Sequence, residues 1–131
     1  MALKLNKIKM VFDRIIFKRA NIGADEKLHS YVTSRLSALQ KYIAEGETDV
    51  KCEVEFEKVS AQQSGRVCRI EVNVWVAGTL YRAEATEETF EAATDVVRDE
   101  VDAEMNKAHK KRNSLIRRGG RKFKEMMRFG K

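Results

Sequence analysis

Two stretches of strict alternation constrain this chain more than anything else in it. Between residues 50 and 57, Val50, Cys52, Val54 and Phe56 alternate with Lys51, Glu53, Glu55 and Glu57. Between residues 67 and 76, Cys68, Ile70, Val72, Val74 and Val76 fall on one side, and Glu71, Asn73 and Trp75 on the other. Successive side chains of a strand point to opposite faces, so each run predicts a strand with one dry face and one wet face. Ala77-Gly78-Thr79 supplies a tight turn after the second run, and Leu80 to Ala85 a short last strand. An earlier β-branched run predicts a strand over about residues 12–19. A sheet of this kind needs apolar elements laid across its dry face.

Two amphipathic helices meet that need. Asp25 is placed to cap the first, in which Leu28, Tyr31, Val32, Leu36, Leu39 and Tyr42 or Ile43 recur at spacings of three and four. That is a helix of about five turns, closed by Glu45-Gly46. Thr86 is the expected cap of the second helix, whose apolar stripe is Phe90, Ala93, Val97, Val101, Met105 and Ala108. Its outer side is acidic early (Glu91, Asp95, Asp99, Glu100, Asp102, Glu104) and basic late (Lys107, Lys110, Lys111, Arg112), which suits the helix dipole. The expected fold is α+β, in the order β-α-β-β-β-α, with a four-stranded sheet and two helices packed on one face. It occupies residues 1–112, and residues 113–131 form a basic C-terminal tail.

Charge is unevenly spread. The chain has a net charge of +6, but residues 107–131 carry +10 and residues 1–106 carry −4. A mildly acidic body with a strongly basic end points to a polyanion, because each Lys or Arg set against a phosphate releases condensed counterions. The dipole accounts for bases in the last turns of a helix. It does not account for Arg117, Arg118, Arg121 and Lys122, which lie beyond Arg112. Gly119-Gly120 is expected to interrupt any helix continuing this far. Past it, Phe123, Met126 and Met127 stand at helical spacing among Arg and Lys. Three readings of the tail follow: a segment ordered by RNA, with arginines on phosphates and Phe123 or Phe129 on a base; a basic amphipathic helix for a membrane surface or partner; or a tail folded back on the domain.

No catalytic site, metal site or cofactor motif emerges. Cys52 and Cys68 lack zinc-site spacing and read as packed, reduced thiols. His29 reads as a partly exposed helix histidine, His109 as a further polyanion contact, and Glu53, Glu55 and Glu57 as a wet strand face. There is no phosphate-binding glycine loop and no nucleophile elbow. No apolar run is long enough to span a membrane and the N-terminus lacks a secretory pattern, so the expected location is cytoplasmic.

The segments Tyr31 to Tyr42, Gly78 to Ala85 and Glu87 to Ala93, taken in this element order, resemble the ribosome hibernation-promoting factor family. The resemblance covers roughly residues 12–112. It implies a fold similar to double-stranded-RNA-binding domains, and no enzyme activity. It also implies a seat on the small ribosomal subunit and its ribosomal RNA, in the decoding region, where messenger RNA and tRNA are occluded and translation stops. Arg35 and Lys41 match basic positions of the family's first helix; Lys107, Lys110, Lys111 and Arg112 match the basic end of its second. Ala38, Asp99 and Asp102 depart, standing where relatives often carry a basic residue. Either the second helix is rotated or the RNA contacts have moved toward the C-terminus. The +10 segment favours the latter and adds Arg117, Arg118, Arg121 and Lys122. No small-molecule substrate, DNA or membrane partner is expected. Two other readings stand beside this one: a general structured-RNA-binding or RNA-chaperone module without ribosome preference, and a regulator of another protein through the acidic sheet face.

Overall fold

A computed structural model describes residues 11–129 apart from 24 and 63, and at 11, 13 and 121–129 the backbone alone. After a 3₁₀ turn at Val11–Arg14 come β1 (Ile16–Ala20), α1 (Glu26–Leu36), β2 (Val50–Lys58), β3 (Cys68–Val76), β4 (Thr79–Glu87) and α2 (Phe90–Phe129). The sheet order is β1-β2-β3-β4, with β1 parallel to β2 and the remaining pairs antiparallel. This is the expected β-α-β-β-β-α order. The first strand starts later than expected, because residues 11–14 coil into the 3₁₀ turn that buries Phe12.

The alternating strands behave as their pattern requires. Cys52, Val54 and Phe56 of β2 and Ile70, Val72 and Val74 of β3 are buried on the helix-covered face. Leu28, Val32 and Leu36 of α1 and Ala93, Val97, Val101 and Met105 of α2 complete the core. The stripe on α2 is the one read from the sequence.

Asp25 caps α1 as expected, its Oδ1 accepting from the Leu28 N–H at 3.1 Å. The helix is shorter than its periodicity suggests: after Leu36 the chain tightens into a 3₁₀ helix over Ser37–Tyr42. Leu36, Leu39 and Tyr42 are spaced by three, and only a three-residue turn keeps all of them over the sheet. The β3–β4 hairpin closes with the two residues Ala77 (φ 49°) and Gly78 (φ 85°), the left-handed pair that a type I′ turn demands. Thr86 does not cap α2. It belongs to β4, opposite Arg69, and the cap is Thr89, whose Oγ1 accepts from the Ala92 N–H at 3.0 Å.

The largest difference lies at the C-terminal end. α2 does not stop at Gly119-Gly120 but continues unbroken to Phe129. Each glycine costs about 1 kcal/mol relative to alanine, yet neither clashes nor turns, and the Arg, Lys, Leu and Met around them are strong helix formers. Among the described side chains of α2, the last buried one is Met105. From Lys107 onward the helix is an arm roughly 35 Å long, at about 1.5 Å per residue.

Candidate nucleic-acid interface

The residues expected to meet RNA fall into two groups that the fold separates. Arg35 and Lys41 stand at the seam where α1 and its 3₁₀ extension pack beside α2, and each is already paired. Arg35 Nε lies 3.4 Å from Asp95 Oδ1, and Lys41 Nζ lies 3.9 Å from Asp102 Oδ1. The seam is reinforced by aromatic groups. The Tyr31 hydroxyl donates to both Asp95 oxygens at 2.9 and 3.0 Å, and the Arg35 guanidinium lies 4.9 Å from the Tyr31 ring centre. Tyr31 first, and then Asp95, raise the Arg35 pKa above its ordinary value. Burial, followed by Asp102, raises that of Tyr42. His109 belongs to this seam: its ring meets Tyr42 edge-on at 5.9 Å, and its Nε2 lies 3.3 Å from the Asn113 amide.

The second group is on the arm. Lys107, Lys110, Lys111, Arg112, Arg117 and Arg118 are all exposed, and no ion pair joins any of them to another described residue. At about 3.6 residues per turn, positions 107, 110, 111, 114, 117 and 118 share one side of α2. Positions 121 and 122 continue that side along the backbone; the side chains of Arg121 and Lys122 lie outside the described residues, as do those of Phe123, Met126, Met127 and Phe129. Arg112 is displaced toward the opposite side, beside Leu115 and Ile116, which are 55% and 64% exposed. Upstream, the cationic side continues into Asp99, Glu100 and Glu104. One helix side therefore changes sign between Glu104 and Lys107. A phosphate chain is attracted to the arm and repelled from the body.

The open sheet face offers no comparable field. Arg69, its side chain 19% exposed, lies 3.4 Å from Glu55, 3.4 Å from Glu57 and 2.6 Å from Glu71, and pairs with Glu84 as well. The Arg69 pKa is raised, chiefly by hydrogen bonds to Glu84 and Glu71. Glu71 is held below the usual carboxylate range, first by the Asn73 amide and then by Arg69. Lys51 and Lys18 flank Glu53 at 3.2 and 3.6 Å, lowering its pKa, and Lys51 also covers the Trp75 ring. The acids of this face are thus mostly satisfied within the protein. Among the described residues, no group of three or more His, Cys, Asp or Glu could hold a metal ion.

His29 is partly exposed, as its helical position suggests, but its ring packs inward. Its ring stacks on Phe17 at 4.0 Å and lies 5.7 Å from Phe56, and its Nε2 is buried without a partner. Both cysteines are free and buried, and burial pushes the Cys52 thiol up to about 12. Sequence reasoning missed Asp95 as a seam residue. The available signal was the spacing of seven between Asp95 and Asp102, two turns along one side of α2, set beside Tyr31, Arg35 and Lys41.

Fold and charge together define a small α+β domain from which a basic helix projects. Residues 15–113 match the family described as sigma 54 modulation protein / S30EA ribosomal protein, and the chain belongs to that family. This agrees with the resemblance carried by the α1, β4 and α2 segments, and ties the chain to ribosome-associated proteins. Among solved structures, the fold is similar to the Thermus thermophilus Protein Y N-terminal domain. The TM-score is 0.59 at 20% identity, over 72% of this chain and 97% of that one. It is also similar to a ribosomal subunit interface protein from Coxiella burnetii, with a TM-score of 0.57 at 12% identity over 72% and 94%. No curated protein sequence matches. No helix among the described residues is long and apolar enough to cross a membrane.

Proposed function

We propose that this protein is a non-enzymatic ribosome hibernation factor of the cytoplasm. It binds the decoding region of the small ribosomal subunit, held by ribosomal RNA, and stops translation by occluding messenger RNA and tRNA. The observation that carries the reading is the arm: an exposed row of Lys107, Lys110, Lys111, Arg117 and Arg118 with no ion-pair partner among the described residues, on a body of this family. A helix presenting bases on one side can follow a phosphate backbone without reading its sequence. The names of the two similar structures, Protein Y and a ribosomal subunit interface protein, support the ribosome as the source of that RNA. Arg112, Arg121 and Lys122 add to the same field, while Arg35 and Lys41 contribute less because acids already neutralise them.

The test is co-sedimentation with purified ribosomal subunits over a series of salt concentrations. Replacing Arg117, Arg118, Arg121 and Lys122 by Glu should abolish binding near physiological salt and flatten the dependence of affinity on log salt. Unchanged binding overturns the reading. Because the arm reads charge alone, binding to any structured RNA is the second reading. Bulk tRNA or duplex RNA competing as well as ribosomal subunits would favour it.

A further inference from the structure

The seam between α1 and α2 has a consequence for how RNA is met. Asp95 and Asp102 sit two turns apart on α2 and meet the two cations that α1 and its 3₁₀ extension present. The arrangement around Asp95 is that of an anion site already filled. Its carboxylate accepts from a phenol and faces a guanidinium Nε, the donors that a phosphate oxygen would use. Tyr31 and Arg35 are stacked, and Lys41 lies against Tyr42, so these cations are held in place. The seam is nonetheless open to solvent: the side chains of Arg35 and Asp95 are 45% and 44% exposed, and those of Lys41 and Asp102 are 63% and 37% exposed.

We propose that Asp95 and Asp102 act as internal substitutes for phosphate: they occupy Arg35 and Lys41, keep the first helix electrostatically quiet and leave the arm to govern RNA binding. The inference rests on the function proposed above and names the residues that restrain it. Coulomb attraction falls as the inverse of distance. A phosphate about 4 Å beyond Arg35 would lie about twice as far from Asp95, whose repulsion cancels about half of the attraction. That separation is within a screening length of about 8 Å at physiological salt, so much of the cancellation survives. Of the two other acids in this stretch, Asp99 is turned to Arg98 at 2.8 Å and Glu100 lines a cleft with Leu80, Tyr81 and Arg82 of β4, so neither pairs with Arg35 or Lys41.

A double-mutant cycle on the full chain, read by binding to purified small ribosomal subunits across a salt series, tests this. Asp95→Asn with Asp102→Asn keeps the acceptor for Tyr31 and removes both charges. It should tighten binding roughly three- to tenfold, the scale of two exposed ion pairs, and steepen the log–log salt slope by about 1 to 2. Arg35→Gln with Lys41→Gln should change little in the unsubstituted protein but should erase the whole gain in the Asn background. A gain that persists without Arg35 and Lys41 overturns the proposal, because mere loss of negative charge would then explain it. No gain in the Asn variant overturns it as well. Should the double variant lose cooperative unfolding, Asp102→Asn alone carries the same cycle with Lys41→Gln. If the unsubstituted protein fails to bind subunits, the proposed function itself fails and this inference falls with it; binding without coupling leaves that function standing.

Discussion

Arg69 is the residue on which the open sheet face depends. Four carboxylates from three strands converge on it, and without it Arg82 would be left to serve Glu71 and Glu84 while Glu55 and Glu57 lost this partner on a half-buried surface. Arg69→Gln should destabilise the fold by about 2 kcal/mol at neutral pH, the scale of charge-assisted hydrogen bonds lost at a partly buried site. The pH dependence follows from Glu71, whose folded value is depressed first by the Asn73 amide and then by Arg69. A depressed carboxylate contributes stability that is present above its unfolded value and lost as pH falls through its folded one. The difference between Arg69→Gln and the unsubstituted protein should therefore shrink in acid, measured by urea unfolding at neutral pH and at about pH 3. A constant difference would mean that Arg69 acts by packing rather than by charge. A second residue carries strain of a different kind. Ala77 holds φ 49°, a conformation that costs a residue with a β-carbon about 1 kcal/mol. Ala77→Gly relieves that strain at some cost in chain entropy. Ala77→Asn, which tolerates the left-handed region without that cost, should raise stability by about 0.5–1 kcal/mol in the same unfolding assay.

At the scale of elements, the parts that the sequence made legible are those where one pattern decides. Alternation in β2 and β3 set both faces of the sheet, because a period of two has no competing reading in a run that long. The spacing of three and four in α1 identified a helix but could not tell an α-turn from a 3₁₀ turn after Leu36, since both bury Leu39. Thr86 was the expected cap, but its pairing with Arg69 across the sheet leaves that role to Thr89, a choice that composition alone could not make. The seam was opaque because Asp95 and Asp102 look like ordinary surface acids until α1 is laid beside them. Gly119-Gly120 was overruled by the strength of its flanks, and this yields a prediction about the arm. A β-carbon at either position meets nothing within 4 Å. Gly119→Ala with Gly120→Ala should therefore add about 1 kcal/mol per site to the helix, seen as slower hydrogen exchange over residues 113–129. If the helical arm is the form that meets RNA, the same variant should also bind ribosomal subunits more tightly, because less ordering accompanies association. Slower exchange with weaker binding would mean that the arm must unwind to bind.

For the molecule as a whole, stability and binding are laid out in different places. Among the described residues, the hydrophobic core lies between Phe12 and Met105. The net positive charge lies from Lys107 onward, where the chain carries +10 against −4 for everything before it. Removing residues 113–131 should therefore leave the unfolding midpoint nearly unchanged, since none of the described core side chains is lost. It deletes seven of the eleven bases of the basic segment while keeping Lys107, Lys110, Lys111 and Arg112. Each phosphate contact contributes about 0.7 to 0.9 to the slope of log affinity against log salt. The shortened chain should then bind ribosomal subunits far more weakly at physiological salt, with a slope lower by several units, and the two proteins should converge as salt rises. The sign of the effect is fixed by the body: its helix side upstream of Lys107 carries Asp99, Glu100 and Glu104, so nothing there can replace the missing attraction. A shortened chain that binds with the original slope would move the RNA-binding surface back onto α1 and the start of α2. A shortened chain that unfolds early would show that residues 113–129 pack on the body in a way the exposed Leu115 and Ile116 contradict. With both thermal and binding data in hand, the arm is established as a separable device only if the first holds while the second falls.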